Sequence, residues 1–73
     1  MARLEAKTDV TGSVWKITTV VGQTLAPGDT VMLIESMKME IPVIAEDGGT
    51  IKEFRFAEGE SITEGEVVAI LEG

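Results

Sequence analysis

The sequence predicts an all-β fold of eight short strands, four in each of two similar halves, on three observations. Placing Gly12 against Gly49 sets an offset of 37 residues that runs without a gap from Thr11/Gly48 to Glu35/Glu72. Along it Gly22/Gly59, Gly28/Gly65, Val31/Val68 and Glu35/Glu72 are identical, and Val14/Ile51, Ile17/Phe54, Leu25/Ile62, Asp29/Glu66 and Ile34/Leu71 are conservative. Each half consists of short runs rich in Val, Ile, Thr and Phe, punctuated by glycine turns, which is a strand pattern. A half of this length has one apolar face and nothing of its own to bury it against. The halves are therefore expected to pack face to face about a pseudo-twofold axis.

In chain order, the first half is expected to form strands at Leu4 to Ala6, Ser13 to Thr19, Thr24-Leu25 and Val31 to Ser36. The second repeats them at Met39 to Ile44, Thr50 to Phe56, Ser61-Ile62 and Val67 to Leu71. Turns fall at Val21-Gly22-Gln23 and Pro27-Gly28-Asp29, matched by Glu58-Gly59-Glu60 and Glu64-Gly65-Glu66. Glycine there can take a positive φ without steric cost. Strict alternation fails at one place in both halves, because Val14 to Ile17 and Ile51 to Phe54 are three apart; a shared bulge accounts for this. Met32 to Ile41 contains good helix formers, which makes a helix the competing reading. Its partner Val67 to Leu71 reads as a buried strand, and Pro42 would fall in the last turn of such a helix.

Composition narrows the function. Seventy-three residues make one small domain, residues 1–73, that buries only about 60% of its unfolded surface. With no cysteine and no histidine, disulfides, thiolate chemistry, the usual zinc sites and His-based catalysis are excluded. A formal charge of −7 and a pI near 4.3 oppose binding to a phosphate backbone, so nucleic acid is not an expected partner. No apolar run reaches the length that spans a bilayer, and Met1-Ala2-Arg3-Leu4-Glu5 lacks the apolar core of a secretory signal. The expectation is a cytoplasmic protein with no membrane partner, monomeric in isolation. Asp9, Glu46 and Asp47 are conceivable hard-metal ligands, but scattered carboxylates in an acidic chain read as surface charge and no metal is expected. The acidic turns at Gly59 and Gly65 read as solvated loops, with steering toward a basic partner as their other use. Trp15 pairs with Lys52 across the repeat. Symmetry does not require it in the core, so partial burial is expected, with a partner contact as the alternative.

The chemistry concentrates in Glu35-Ser36-Met37-Lys38-Met39-Glu40. Under the offset Ser36 pairs with the last residue, Gly73, so Met37-Lys38 has no counterpart and links the halves. Between two successive strands this link is a two-residue hairpin with Lys38 at its tip. Such turns favour Asn or Gly at positive φ, so Met-Lys here points to a constraint other than folding. A catalytic amine needs desolvation or a neighbouring cation; the charged neighbours in sequence are Glu35 and Glu40, both carboxylates. Lys38 therefore reads as a residue modified by another enzyme. The methionines at a turn tip read as adaptable contacts more than as core filling.

With Met37-Lys38-Met39 following the acidic Glu35, the chain resembles the biotinyl/lipoyl attachment domain family, and closely its small biotin carboxyl carrier members. The resemblance covers nearly all of the chain; Ser36 stands where alanine is common. It implies a flattened barrel of two four-stranded antiparallel sheets. It further implies that a biotin protein ligase joins biotin to Lys38 as an amide, with Met37 and Met39 in ligase recognition or turn geometry and Glu35 and Glu40 as lesser contributors. The biotin arm then carries carboxylate from a biotin carboxylase to a carboxyltransferase, as in acyl-CoA carboxylases such as the acetyl-CoA carboxylase of fatty acid biosynthesis. The domain itself is a non-catalytic carrier. Some members carry a protruding insertion in the first half, for which the ungapped offset leaves no room. The rival cofactor is lipoate, whose carriers typically have Asp before the lysine and Ala after it. The other rival is an unmodified interaction module.

Overall fold

The structure, a computed structural model, describes residues 2–73. Eight strands follow in order: β1 (Arg3–Lys7), β2 (Gly12–Ile17), β3 (Thr24–Leu25), β4 (Asp29–Ser36), β5 (Met39–Ala45), β6 (Gly49–Phe54), β7 (Ser61–Ile62) and β8 (Val67–Glu72). They form two four-stranded antiparallel sheets, ordered β1-β8-β6-β3 and β5-β4-β2-β7. Advancing each strand of the first sheet by one half-repeat, so that β1 becomes β5 and β6 becomes β2, generates the second sheet in the same order. The pseudo-twofold is thus present, and the segment Met32 to Ile41 is strand, turn and strand.

Neither half makes a sheet of its own. Each sheet takes two strands from each half, so the halves are interleaved where the sequence suggested two stacked units. Interleaving lets β4 and β8, the most apolar strands, lie inside their sheets, flanked by neighbours on both sides. Their inward side chains, Met32, Ile34, Val68 and Leu71, form the core with Val14, Val43, Ile51 and Ile62.

The expected bulge is present in both halves. Registers shift between Val14 and Lys16 against β4, and between Ile51 and Glu53 against β8. Trp15 and Lys52 are the extra residues; Trp15 is 46% exposed. A second symmetric pair of shifts, not anticipated, sits at Val31 and Val68. The bulged carbonyls are still satisfied: Val31 O accepts from the hydroxyls of Thr18 and Thr19 at 3.2 and 2.9 Å, and Val68 O from the amide of Arg55 at 2.9 Å. This explains why β2 and β6 end two residues before the expected Thr19 and Phe56. Thr18, Thr19 and Arg55 are engaged at the bulges and leave the ladder.

The four glycine turns share one geometry. Gly22, Gly28, Gly59 and Gly65 have φ between 89° and 94°, as a turn with positive φ at its third residue requires. In each, the fourth residue folds its side chain back to accept the amide of the first: Gln23 from Val20, Asp29 from Ala26, Glu60 from Ala57 and Glu66 from Thr63. The acidic turn residues are therefore on the surface but also close their own turns.

Candidate functional site

The β4–β5 hairpin carries the site. Its last rung pairs Ser36 with Met39, leaving Met37 and Lys38 as a two-residue turn with φ of 52° and 65°. Positive φ at both central residues is the geometry whose twist matches the flanking strands. These two are the only non-glycine residues with positive φ among those described. Holding two ordinary side chains there costs on the order of 1–2 kcal/mol each relative to glycine, which is consistent with retention of the residues for what they do.

The tip is open to solvent. Met37 is 92% exposed, Met39 62%, and Lys38 and Glu40 are exposed as well. Glu35 and Glu40 face each other as register partners one rung below the Ser36–Met39 pair. Among the described residues the ion pairs are Arg3–Glu5 and Lys52–Glu72, both at 3.7 Å, so Lys38 extends from the tip without a carboxylate partner. Among the described residues, Lys38 lines neither surface cavity, and no three His, Cys, Asp or Glu side chains gather as a metal site would need. The arrangement presents a primary amine to a visiting active site.

Below the tip, the hairpin is anchored by contacts that the sequence did not reveal. The Ser36 hydroxyl donates to Thr11 O at 2.9 Å, and Thr11 Oγ1 accepts the amide of Glu64 at 2.9 Å. Ser36 thus ties β4 to the β1–β2 loop, and that loop to the turn before β8. An alanine there could make no such bond. Gly12 lies beneath: a Cβ built on it would overlap the Glu35 carbonyl oxygen. The identity of Gly12 and Gly49 across the repeat was visible in the sequence; its cause, close approach to the Glu35 and Glu72 carbonyls, was not.

The pseudo-twofold also relates the base of the tip to a second place in the fold. Ser36 and Met39 correspond to Gly73 and Ala2, and the Gly73 amide donates to Ala2 O at 2.9 Å. The place taken by the Ser36–Met39 rung in one sheet is taken in the other by Gly73 and Ala2, at the opposite end of β1 from the loop that touches Ser36. Met37 and Lys38 are the bridge across that gap, under no packing demand from the core.

A comparison of methionines separates core from tip. Met32 is 0% exposed and packed in the core. Replacing it by alanine is expected to cost about 2–5 kcal/mol, whereas Met37→Ala and Met39→Ala should each leave the thermal midpoint within about 3 °C of the parent. Thermal unfolding of the three variants measures this, and a large loss at position 37 or 39 would restore the core-filling reading.

Comparison with known proteins agrees with this geometry. Residues 5–71 match the family model described as biotin-requiring enzyme, the biotin/lipoyl family. A biotin/lipoyl attachment protein of Bacillus subtilis is 40% identical over 57 residues, 78% of each chain. A biotinylated protein TB7.3 homolog of Mycobacterium leprae is 31% identical over 67 residues, 92% of this chain and 94% of that one. Among solved structures, the urea carboxylase of Kluyveromyces lactis superposes with a TM-score of 0.92 at 29% identity, covering 99% of this chain and 6% of that much longer one.

Proposed function

The chain belongs to the biotin/lipoyl attachment family, and from that premise we propose that it is a biotin carboxyl carrier, biotinylated on Lys38. The observation that carries the reading is the exposed positive-φ tip Met37-Lys38, flanked by Met39. A biotin protein ligase would form an amide between the biotin carboxylate and the Lys38 amine, with ATP driving the condensation. The lysine loses its charge and gains a long arm. Carboxylate taken up on the biotin ureido nitrogen at a biotin carboxylase is then delivered at a carboxyltransferase.

The barrel contributes position to this chemistry. Tethering replaces a dilute encounter with a high local concentration of the reacting group at each active site. The anchored hairpin base, through Ser36 and Thr11, fixes where the arm begins. Biotin is favoured over lipoate by methionine on both sides of the lysine, where lipoate carriers typically have Asp and Ala. A relative named as a biotinylated protein and a carboxylase with the same fold support it.

Intact mass of the protein after reaction with a biotin protein ligase and biotin, or with a lipoate ligase and lipoate, tests the cofactor. The expected result is one biotin increment and little or no lipoyl increment. A lipoyl increment with no biotin would overturn the reading in favour of an acyl carrier.

A further inference from the structure

The pseudo-twofold makes one sheet an internal control for the other. Positions related by it occupy equivalent places in the same scaffold, so a difference between them is not demanded by the fold. On the outer face of the sheet without the lysine, Ile70 lies between Glu5 and Glu53, with Lys52 at the bulge and Lys7 next along the edge strand. Ile70 is 6% exposed. On the sheet that carries Lys38, the equivalent residue Leu33 lies between Pro42 and Lys16, with Trp15 at the bulge and Ile44 along the edge. Glu5, Lys52 and Lys7 are thus replaced by Pro42, Trp15 and Ile44. These three are exposed, Trp15 by 46% and Ile44 by 42%, and Leu33 is only partly covered.

The charges break symmetry in the same way. On the first sheet, Glu72 sits opposite Arg3 and also pairs with Lys52 at 3.7 Å. The equivalent register pair on the lysine sheet is Glu35 opposite Glu40, with Trp15 in the place of Lys52. Like charges directly opposite each other destabilise a sheet. The free protein therefore keeps an uncompensated acidic pair between an apolar patch and the lysine tip, at positions where its own other half shows a neutralised alternative.

We infer that the outer face of β5-β4-β2, formed by Trp15, Leu33, Pro42 and Ile44 and bordered by Glu35 and Glu40, is the docking surface for the ligase that acylates Lys38. The ligase surface it fits has an apolar ridge flanked by lysine or arginine. The inference rests on the biotin reading of Lys38. Charge complementarity sets the partner's chemistry: two unpaired carboxylates on a chain of net charge −7 call for cations. Reach selects the ligase among the enzymes that serve Lys38. The ligase acts on the lysine amine itself, so the barrel must come within one side-chain length of its active site. A carboxylase meets only the far end of the completed arm.

The test replaces each residue by its symmetry mate, which the scaffold already accommodates: Trp15→Lys, Pro42→Glu, Ile44→Lys and Glu40→Arg, made singly in the full chain. Initial rates of biotinylation by a biotin protein ligase, with carrier concentration varied, separate KM from kcat, and thermal midpoints check folding. The expected result is a KM for the carrier raised about tenfold in Trp15→Lys, as loss of a central aromatic anchor implies, with kcat and thermal midpoint little changed. Glu40→Arg should raise KM and weaken its dependence on salt. Lys7→Ala, on the other sheet, should leave KM unchanged.

Unchanged KM in all four folded variants would overturn the inference, as would an equal rise in Lys7→Ala. A rise seen only in carboxylation of the biotinylated carrier by a biotin carboxylase would reassign the face to that enzyme. Failure of the biotin reading looks different, since the parent protein itself would then acquire no biotin, and both conclusions would go.

Discussion

Lys38→Arg is expected to lose the biotin increment completely while unfolding within about 3 °C of the parent protein. The substitution keeps the positive charge and the length of the side chain, and the tip makes no packing demand on it. What it removes is a primary amine. The arginine guanidinium stays protonated and delocalised, so it offers no lone pair to an activated carboxyl group. Intact mass after ligase treatment reads the result directly. The other lysines, Lys7, Lys16 and Lys52, are exposed and provide the internal competition. An undiminished increment on the variant would show that exposure alone directs the ligase and that the hairpin tip does not.

The second large effect is on the fold. Gly12→Ala is expected to destabilise by about 3 kcal/mol or more, lowering the thermal midpoint by on the order of 10–20 °C. The new Cβ overlaps the Glu35 carbonyl oxygen, with the Glu35 carbonyl carbon at 3.0 Å and Ile34 Cγ2 at 3.3 Å. The first two are backbone, so no rotamer change relieves them. β2 and β4 must separate where Ser13 pairs with Glu35, three residues before the lysine. Gly49→Ala should behave alike, because its Cβ would stand 3.0 Å from Glu72 O and its φ is 115°. Gly22→Ala is the control: nothing lies within 4 Å of its Cβ, and only the φ of 94° resists the change. Its cost should be about 1 kcal/mol, and thermal unfolding of the three variants ranks them. A Gly12→Ala protein as stable as Gly22→Ala would mean that the two strands are not held at this distance.

Local patterns carried much of the fold. The three-residue spacing from Val14 to Ile17 and from Ile51 to Phe54 marked a bulge because inward side chains on a regular strand must alternate. The unpaired Met37-Lys38 marked a two-residue hairpin because the repeat left two residues between strand ends. Both readings use only neighbours in the chain. The bulges at Val31 and Val68 left no such mark, since an apolar residue among apolar neighbours looks the same in or out of register. The roles of Ser36, Thr11 and Gly12 were equally hidden. They depend on contacts between β4, the β1–β2 loop and the turn before β8, which lie 25 to 53 residues apart for the hydrogen bonds concerned.

By itself the sequence determined the strand count, the turns, the pseudo-twofold and the residue at the tip, since each follows from spacing and from the backbone preferences of glycine and β-branched residues. Tertiary structure alone decided which strands share a sheet. Each half can bury its apolar face against a copy of itself either stacked or interleaved, and the choice rests on pairings between strands far apart in the chain, such as β1 with β8 and β2 with β7, which local patterns do not encode. It also decided the character of the two outer faces. In the sequence Trp15, Pro42 and Ile44 are scattered over thirty residues, with nothing to join them; sheet pairing gathers them on one face of the sheet that carries Lys38 and sets Glu35 against Glu40.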